Sequence, residues 1–355
     1  MKTFKTNYFK ISNNDPTYFI ADIAANHDGS LSRAKKLIKL CAKAGANAAK
    51  FQHFKAETIV SDFGFRSLKK MAHQKKWKKN VFQVYKEASI NFKWTSELAK
   101  ECKNNKIDFM TSPYDLDYVD MVDKHICAYK IGSGDITWHE IIKKIAKKNK
   151  PVILATGASD ISEVKKAVKI ILKNNKKLIL MQCNTNYTAN FENYKFINLK
   201  VLFKYNKLFK EKIILGLSDH TFGSQTVLGA IAMGARVVEK HFTDDNDREG
   251  PDHKFSMNPS TWKKMVNDAR ILEASIGNGN KIIEKNERDS SIVQRRSIRA
   301  KISIPINSKL KKEMIEFLRP CPKNAIDPYN YKKLINKKIL RNIKKGDIIT
   351  WKDII

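Results

Sequence analysis

The chain has 355 residues, 42% of them hydrophobic, which is long enough to bury a large core and excludes a disordered protein. Its net charge is +32, but the lysines are dispersed, so neither a nucleic acid nor a membrane partner is indicated. The five cysteines form no CxxC pair, and no apolar run reaches the length of a signal peptide or membrane span. These features indicate neither a zinc ribbon nor a disulfide framework, and they predict a cytoplasmic protein.

Eight short apolar runs, each ending in a polar or glycine-rich turn, are typical of buried parallel strands. In chain order they span residues 18–24, 46–52, 108–112, 128–133, 151–157, 178–184, 213–220 and 235–242. Segments with apolar residues at helical spacing lie between them, among them 31–44, 161–172 and 225–233. Eight βα units favour a closed (β/α)8 barrel over the alternative, a flavodoxin-like open sheet.

Two segments depart from this alternation. The connection over residues 56–94, rich in Lys, Phe and Trp, is expected to cover the substrate or to form an oligomer contact. A polar stretch over 277–289 is typical of a linker. We therefore predict a barrel domain at 1–280, a linker at 281–292, and a small β-rich domain at 293–355 with short strands in SIRAKISI and DIIT.

In such a barrel the active site lies at the carboxyl ends of the strands. The predicted strands end in polar residues, namely Asp22, Asn26, Lys50, Gln52, Thr111, Ser112, Lys130, Ser133, Thr156, Asn184, Ser218, His220, Glu239 and His241. His220 and His241 close adjacent strands, and two neutral imidazoles suit an open catalytic site for a divalent ion such as Mn, Fe, Co or Zn. The alternative is that each is a hydrogen-bonded structural histidine.

Five of these residues suit a phosphate group, because lysines neutralise its charge and hydroxyl groups donate hydrogen bonds to it. They are Lys50, Thr111, Lys130, Ser133 and Ser218. Lys130 is also a candidate for the Schiff-base lysine of an aldolase, which would need an apolar pocket to lower its pKa. Its position next to Gly132 and Gly134 favours the phosphate.

Eight motifs occur in an order that resembles one family, the N-acetylneuraminate (sialic acid) synthases. They are IADIAANHDGS from Ile20, KFQ from Lys50, TSPYD from Thr111, YKIGSGD from Tyr129, ATG from Ala155, GLSDHT from Gly216, EKHFT from Glu239 and GPDHKFS from Gly250. The C-terminal segment, with RRSIRA from Arg295 and LRP from Leu318, resembles that family's antifreeze-like (SAF) domain. The resemblance implies a TIM barrel followed by a SAF domain.

The same resemblance implies a transferase that joins phosphoenolpyruvate, an N-acyl mannosamine-type aldehyde and water, with C–O cleavage, into a nonulosonic acid and phosphate. His220 and His241 would bind a divalent ion, usually Mn²⁺, with Mg²⁺ and Co²⁺ as alternatives. The phosphoenolpyruvate would be held by Lys50, Thr111, Lys130, Ser133 and Ser218.

The resemblance also implies residues for the sugar and for proton transfer. Asn184 lies near a substrate-contacting position, and Asp252 would contact the sugar. Arg319 would reach the acyl group of the sugar from the antifreeze-like domain of a second copy in a domain-swapped homodimer. Asp22 and Glu239 are candidates for handling the attacking water and its proton. The alternative for Glu239 is that it orients the two ligand histidines.

Three features depart from the family pattern. Asp22 stands where the family usually has Glu, Ala155 stands where it usually has Ser, and the loop QCNTNYT from Gln182 lacks the common Tyr-Pro. Because Asp is one methylene shorter than Glu, this acid must lie closer to its target or act through water. The sequence leaves open N-acetylmannosamine and the 2,4-diacetamido-trideoxyhexoses that would give legionaminic or pseudaminic acid. A Schiff-base aldolase and a basic binding protein without catalysis are the alternatives outside this class.

Overall fold

A short antiparallel hairpin precedes eight parallel strands that close into a barrel in the computed structural model, which describes residues 3–68, 74, 77–188 and 190–355. The hairpin consists of β1 (Thr3–Lys5) and β2 (Lys10–Ser12). The barrel strands are β3 (Tyr18–Asp22), β4 (Ala48–His53), β5 (Asp108–Pro113), β6 (Tyr129–Ile131), β7 (Val152–Ala155), β8 (Leu178–Cys183), β9 (Ile214–Asp219) and β10 (Val237–His241). Pairing of β10 with β3 closes the barrel. The predicted closed barrel is confirmed.

Side chains alternate along the strands between the barrel interior and the outer face that the helices cover. Interior positions form one apolar cluster, which contains Tyr18, Ile20, Ala48, Met110, Ile214 and Val237. Phe4 and Ile11 of the hairpin belong to the same cluster, and the backbone N–H of Asn7 donates to Asp108 at the start of β5. The hairpin therefore covers the amino ends of the strands. The sequence did not predict this hairpin.

Helices follow the strands around the barrel. They are α1 (Leu31–Lys43), α2 (Ala56–Ile59), α3 (Asp62–Ser67), α4 (Val81–Ala88), α5 (Thr95–Asn104), α6 (Leu116–Val122), α7 (His139–Lys147), α8 (Ile161–Asn174), α9 (Val201–Phe209), α10 (Gln225–Ala232) and α11 (Pro259–Ile276). Local sequence explains where several of them begin. Asp160 and Glu163 form a capping box at the start of α8, and Asn258 caps α11 just before Pro259. In the part of the chain that the structure describes, no helix has the length and apolar character needed to span a bilayer.

The connection predicted to be irregular, residues 56–94, contains α2, α3, α4 and a 3-10 helix at Phe92–Trp94. Residues 69–73, 75 and 76 of this connection lie outside the described residues. Helix α4 places Val81, Val84, Tyr85 and Ala88 on one face, at the spacing of successive helical turns. Other 3-10 helices of the barrel unit lie at Asp123–His125, Ser133–Asp135, Phe191–Phe196, Lys210–Lys212 and His253–Phe255.

The chain divides into two compact units, Met1–Gly277 and Asn278–Ile355. The second unit contains α12 (Arg288–Val293), the antiparallel pair β11 (Ser297–Ala300) and β12 (Ile315–Leu318), and 3-10 helices at Lys285–Glu287, Lys312–Met314, Pro328–Lys333 and Trp351–Asp353. Its core includes Ile298, Ile304, Leu310, Ile339, Ile343 and Ile349. The small β-rich fold is as predicted, but the DIIT segment contributes an isolated bridge from Ile348 to Arg299 instead of a strand. The linker over 281–292 stays a prediction.

Candidate active site

A cavity of about 390 Å³ opens at the carboxyl ends of the barrel strands. Interior positions of five different strands form its floor and include Asp22, Lys50, Lys130, Ser218, Glu239 and His241. The two-residue alternation explains this placement. In β10, Glu239 and His241 face inward with Val237, whereas Lys240 points outward with Val238.

Two lysines and two carboxylates form a buried network on the floor. Lys50 Nζ lies 2.7 Å from Asp22 Oδ2 and 3.6 Å from Glu239 Oε1. Lys130 Nζ lies 3.0 Å from the same Glu239 oxygen, to which Ser218 Oγ donates at 3.3 Å. All four charged side chains are at least 95% buried. The carboxylates therefore hold both ammonium groups inside the cavity.

Burial opposes charge on every member of this network, and the ion pairs favour it. Burial raises the pKa of Glu239, but Lys130 and Lys50 outweigh it and lower that pKa to about 2. Burial lowers the pKa of Lys50, but Asp22 and Glu239 outweigh it, so that the pKa is raised. Burial, with the charge of Glu239, raises the pKa of Asp22 despite Lys50. The 2.7 Å contact of Asp22 with Lys50 is that of an ion pair.

His220 and His241 lie side by side, with ring centroids 5.3 Å apart. His220 Nδ1 donates to the carbonyl oxygen of Asn184 at 2.9 Å, which leaves Nε2 with its lone pair. Burial lowers the pKa of His220 to about 3 and that of His241 to about 4, so both imidazoles are neutral at pH 7. Phe255 packs against both rings, at 6.0 Å from His220 and 4.8 Å from His241.

The outer face of β9 and β10 holds these histidines in place. Asp219 Oδ2 and Lys240 Nζ form a fully buried ion pair at 2.5 Å. Lys240 also donates to the Thr221 carbonyl at 2.6 Å, and Thr226 Oγ1 donates to Asp219 at 2.7 Å. His220 follows Asp219 in the chain and His241 follows Lys240, so this ion pair fixes the backbone that carries the two histidines.

A turn after β6 brings backbone close to the proposed phosphate site. Ser133 Oγ accepts the backbone N–H of Gly157 at 2.9 Å and lines the cavity. A Cβ atom at Gly157 would lie 2.5 Å from Thr185 Cγ2 and 3.0 Å from Ser133 Oγ. A larger residue at this position would have to displace Thr185 or the Ser133 hydroxyl, which lies next to the loop after β7.

The loop after β10 carries Asp252 to the rim of the cavity. Asp252 Oδ2 accepts the backbone N–H of Ala25 at 3.2 Å and lies 3.8 Å from His241 Nδ1. The neighbouring His253 is buried and links Thr243, at 2.7 Å from Nδ1, to Asp28, at 2.9 Å from Nε2. This network fixes the loop.

Two residues of the barrel unit with predicted roles lie outside the cavity. Thr111 is on the outer face of β5, where it hydrogen-bonds to His53 Nδ1 at 2.7 Å and donates to the Phe51 carbonyl at 3.0 Å. The Asn184 side chain donates to the Phe196 carbonyl at 3.3 Å, while its own carbonyl binds His220. Arg319 is exposed in the second unit. Direct substrate contacts by these three residues stay predictions.

Other cavity residues had no predicted role. Gln52 Nε2 donates to Asp22 Oδ2 at 3.2 Å, and the Tyr187 ring lies 4.3 Å from that of His220. Asp135 lies on the wall, and burial raises its pKa to about 6 although Lys130 opposes this. The sequence contained a signal for two of these residues, because Gln52 closes a predicted strand and Asp135 ends the GSGD turn. Tyr187 lies in the loop that departs from the family pattern.

Within the described residues, no group of three or more His, Cys, Asp or Glu side chains has the geometry of a complete metal site. His220 and His241 form a two-residue set. Such a set leaves coordination positions for water and substrate.

The fold and the cavity define a (β/α)8-barrel enzyme followed by a small β domain. A model of the NeuB family matches residues 37–281, and a model of the SAF domain matches residues 295–355. The chain therefore belongs to the NeuB family. The family predicted from the motifs is confirmed.

Individual relatives agree with this assignment. An N,N'-diacetyllegionaminic acid synthase from Campylobacter jejuni is 35% identical over 340 residues, or 94% of this chain and 98% of that protein. A pseudaminic acid synthase from the same organism is 30% identical, over 95% of this chain and 96% of that protein. A crystal structure of N-acetylneuraminic acid (sialic acid) synthetase from Leptospira borgpetersenii, in complex with citrate, has a TM-score of 0.70 and 27% identity. That alignment covers 81% of this chain and 95% of the other. The predicted enzyme class, a synthase, is confirmed.

Proposed function

We propose that this protein condenses phosphoenolpyruvate with an N-acyl mannosamine-type sugar aldehyde and water, giving a nonulosonic acid and phosphate. The observation that carries the proposal is the convergence of Lys50 and Lys130 with His220 and His241 on one cavity. Ammonium groups suit an anionic substrate, and neutral imidazoles suit a divalent ion. Similarity to synthases of legionaminic and pseudaminic acid supports the same chemistry. A 2,4-diacetamido-trideoxyhexose is the alternative sugar.

Phosphoenolpyruvate would bind at the floor, where Lys50, Lys130, Ser133 and Ser218 face the cavity. The two lysines are already positioned by Asp22 and Glu239 before any substrate arrives. Little side-chain entropy is then lost when the substrate binds, which favours binding.

His220 and His241 would hold the divalent ion, for which we propose Mn²⁺, with Mg²⁺ and Co²⁺ as alternatives. Two observations fit this role. His220 Nδ1–H donates a hydrogen bond to a backbone carbonyl, which leaves Nε2 available to a metal ion. His241 Nδ1 is buried without a hydrogen-bond partner among the described residues. When bound, the ion would order the aldehyde and polarise its carbonyl group.

The reaction requires one carbon–carbon bond to form and one carbon–oxygen bond to break. C3 of phosphoenolpyruvate attacks the aldehyde carbon, water adds at C2, and phosphate leaves with the bridging oxygen. The oxygen of the added water becomes the C2 carbonyl and gives up two protons, of which one ends on the aldehyde oxygen and the other on the departing phosphate. We propose that Asp22 and Glu239 handle these transfers, and that Asp252 contacts the sugar.

The contacts of Glu239 favour this role over orientation of the histidines. Its Oε1 atom binds Lys130 and Ser218, and its Oε2 atom is buried without a hydrogen-bond partner in the described structure. A buried oxygen without a partner needs a hydrogen-bond donor, which a water or a substrate hydroxyl bound in the site would supply.

An isotope experiment tests the proposed reaction. Phosphoenolpyruvate labelled with ¹⁸O at the bridging position should release labelled phosphate, in an amount equal to the sugar acid identified by mass spectrometry. Label retained in the organic product, or phosphate release that does not depend on the sugar, would contradict the proposal. Borohydride trapping of an adduct on Lys130 would instead support the aldolase.

Two further parts of the proposal concern the assembly and its location. We propose a domain-swapped homodimer in which Arg319 of a second copy contacts the acyl group of the sugar, on the strength of the family resemblance. We also propose that the enzyme works in the cytoplasm, which suits the free thiols of its five cysteines.

A further inference from the structure

The cavity has an apolar wall that the proposed chemistry does not use. We call Phe54, Ile59, Val84, Tyr85 and Ala88 the insertion wall; Trp77 of the same connection also lines the cavity. All five come from β4–α4, the connection that carries α2, α3 and α4. Four of these side chains are wholly apolar and Tyr85 adds a phenol hydroxyl, whereas the floor carries lysines, carboxylates and histidines.

The insertion wall is anchored on both sides. Phe54 is 5% exposed, and its ring lies 5.6 Å from that of Tyr85 and 6.0 Å from that of Tyr114. Val81, on the same face of α4 as Val84, is 7% exposed, and Asn80 caps the helix by accepting the N–H of Gln83 at 2.7 Å. Because these contacts hold α4 in place, the wall is a preformed binding surface.

The chemistry of the floor determines which end of the sugar meets this wall. The aldehyde carbon must lie at the floor, next to the histidines and the phosphoenolpyruvate lysines. The carbons farthest from it, C4 to C6, then reach the rim of the cavity. The insertion wall and the Asp252 loop follow the carboxyl ends of β4 and β10, and we assign that rim to them.

Charge at the rim disfavours a phosphorylated sugar. Among the described residues that line the cavity, the cationic side chains are Lys50 and Lys130, both at the floor and both paired with carboxylates. The rest of the described lining carries the carboxylates of Asp252, at the rim, and Asp135, on the wall. Among the described lining residues, a phosphate on C6 would meet apolar side chains and negative charge, with loss of its hydration.

We propose that the insertion wall selects an unphosphorylated N-acylated hexose whose C6 is a methyl group rather than a hydroxymethyl group. This inference rests on the proposed function and favours the 2,4-diacetamido-trideoxyhexose class over N-acetylmannosamine. The wall offers a deoxy carbon apolar contact and offers a hydroxyl group little to replace its bound water. An apolar pocket discriminates against an added hydroxyl by about 10- to 100-fold in kcat/KM.

The experiment compares two sugars that differ by one oxygen atom, N-acetylmannosamine and its 6-deoxy analogue, together with N-acetylmannosamine 6-phosphate. With the full-length enzyme, phosphoenolpyruvate and Mn²⁺, kcat/KM should be about 10- to 100-fold higher for the 6-deoxy sugar. The phosphorylated sugar should be the poorest substrate. Equal values for the first two sugars, or preference for the phosphorylated one, would overturn the inference. Turnover of none of the sugars, including 2,4-diacetamido-2,4,6-trideoxymannose, would instead count against the proposed function.

A pair of matched variants assigns any preference to the wall. Ile59→Thr adds a hydroxyl to the wall and should reduce the 6-deoxy preference several-fold, with the KM for phosphoenolpyruvate unchanged. Ile271→Thr makes the same change on α11, where the side chain is 67% exposed, and should leave the preference unaltered. Val84→Thr repeats the test on α4 with a nearly isosteric side chain. An undiminished preference in both wall variants, or an equal loss in Ile271→Thr, would overturn the assignment.

Discussion

The floor and the insertion wall of the cavity are built in opposite ways. The floor comes from interior positions of barrel strands, and its charged side chains are paired with each other at 2.7 to 3.6 Å. The wall comes from a connection outside the barrel, and its side chains make mainly apolar and aromatic contacts. Residues that handle the reacting atoms are thus separate in the chain from residues that contact the far end of the sugar.

This separation has a physical reason. Strand ends in a closed barrel are fixed by hydrogen bonds on both sides, so they hold charges to within fractions of an ångström. A connection is free to change length and side chains without disturbing the barrel. The comparison teaches that substitutions on the floor should act on all substrates, whereas those on the wall should act on the choice of sugar.

The largest effect should come from the metal pair. We expect His220→Ala or His241→Ala to reduce kcat by about 1000-fold or more with every sugar, because a catalytic ion contributes several kcal/mol. The variants should also lose Mn²⁺ on gel filtration, measured by elemental analysis, while circular dichroism stays unchanged. The control Phe255→Leu alters packing against both rings but removes no ligand. Wild-type activity that survives exhaustive chelation would contradict the prediction.

Lys130 should have the next largest effect, confined to one substrate. Lys130→Met should raise the KM for phosphoenolpyruvate by about 10- to 100-fold and change the KM for the sugar much less, because one charged hydrogen-bond donor is lost. Steady-state kinetics with each substrate varied in turn measure both constants.

A matched control is Lys240→Met, which breaks a buried ion pair on the outer face of the same barrel. Lys240→Met should lose about 3–5 kcal/mol of unfolding free energy in urea titrations, because it leaves Asp219 without its cationic partner. Lys130→Met should lose less, because Lys50 still lies 3.6 Å from Glu239. Only Lys130→Met should raise the KM for phosphoenolpyruvate selectively. Equal changes in both KM values would mean that Lys130 does not bind the phosphate.

Arg319 extends the comparison to the second unit. Arg319→Ala should reduce kcat/KM for the sugar by about 10-fold or more, since a charged hydrogen bond to the acyl group is lost.

Dissociating and reassociating inactive His220→Ala chains with Arg319→Ala chains should restore activity. Random pairing leaves about one site in four whole if each site combines two copies. No recovery, with mixed dimers verified by mass spectrometry, would show that the copies do not share sites.

The smallest effect should come from restoring the acid that the family usually has. Asp22→Glu keeps the charge beside Lys50 but adds a methylene at a site that is 2% exposed. Overpacking of this size costs about 1–3 kcal/mol of unfolding free energy, and because the charge beside Lys50 is kept we expect a smaller loss of kcat than in the variants above. Asp22→Asn, which removes the charge and leaves the size, should lose more. The reverse order would show that the length of the side chain matters more than its charge.

The barrel was predictable because strands buried on both faces are continuous apolar runs, as in residues 178–184 and 213–220. The hairpin was not, because β1 and β2 have three residues each and contribute one buried apolar side chain apiece, Phe4 and Ile11. Helical spacing predicts one apolar face for α4, but no local signal shows that this face turns back onto the cavity.

At the site, Lys50, Lys130, His220 and His241 were found because each lies at or just beyond the end of an apolar run. Thr111 lies at a strand end too, but on the outer face. Its neighbour Met110 faces the interior, so the two-residue alternation of a strand would have placed Thr111 outside. Whether a side chain faces the cavity is therefore predicted better by its odd or even position along the strand than by its distance from the strand end.

The alternation in β10 also bears on how such a protein can evolve. Insertion or deletion of one residue in this strand would exchange its two faces. Lys240 would enter the cavity, and Glu239 and His241 would leave it together. Point substitutions test these positions one at a time, whereas a change of length removes an acid and a metal ligand at once. Length variation among descendants should therefore be confined to connections such as the one that bears α4, while the barrel strands keep their length.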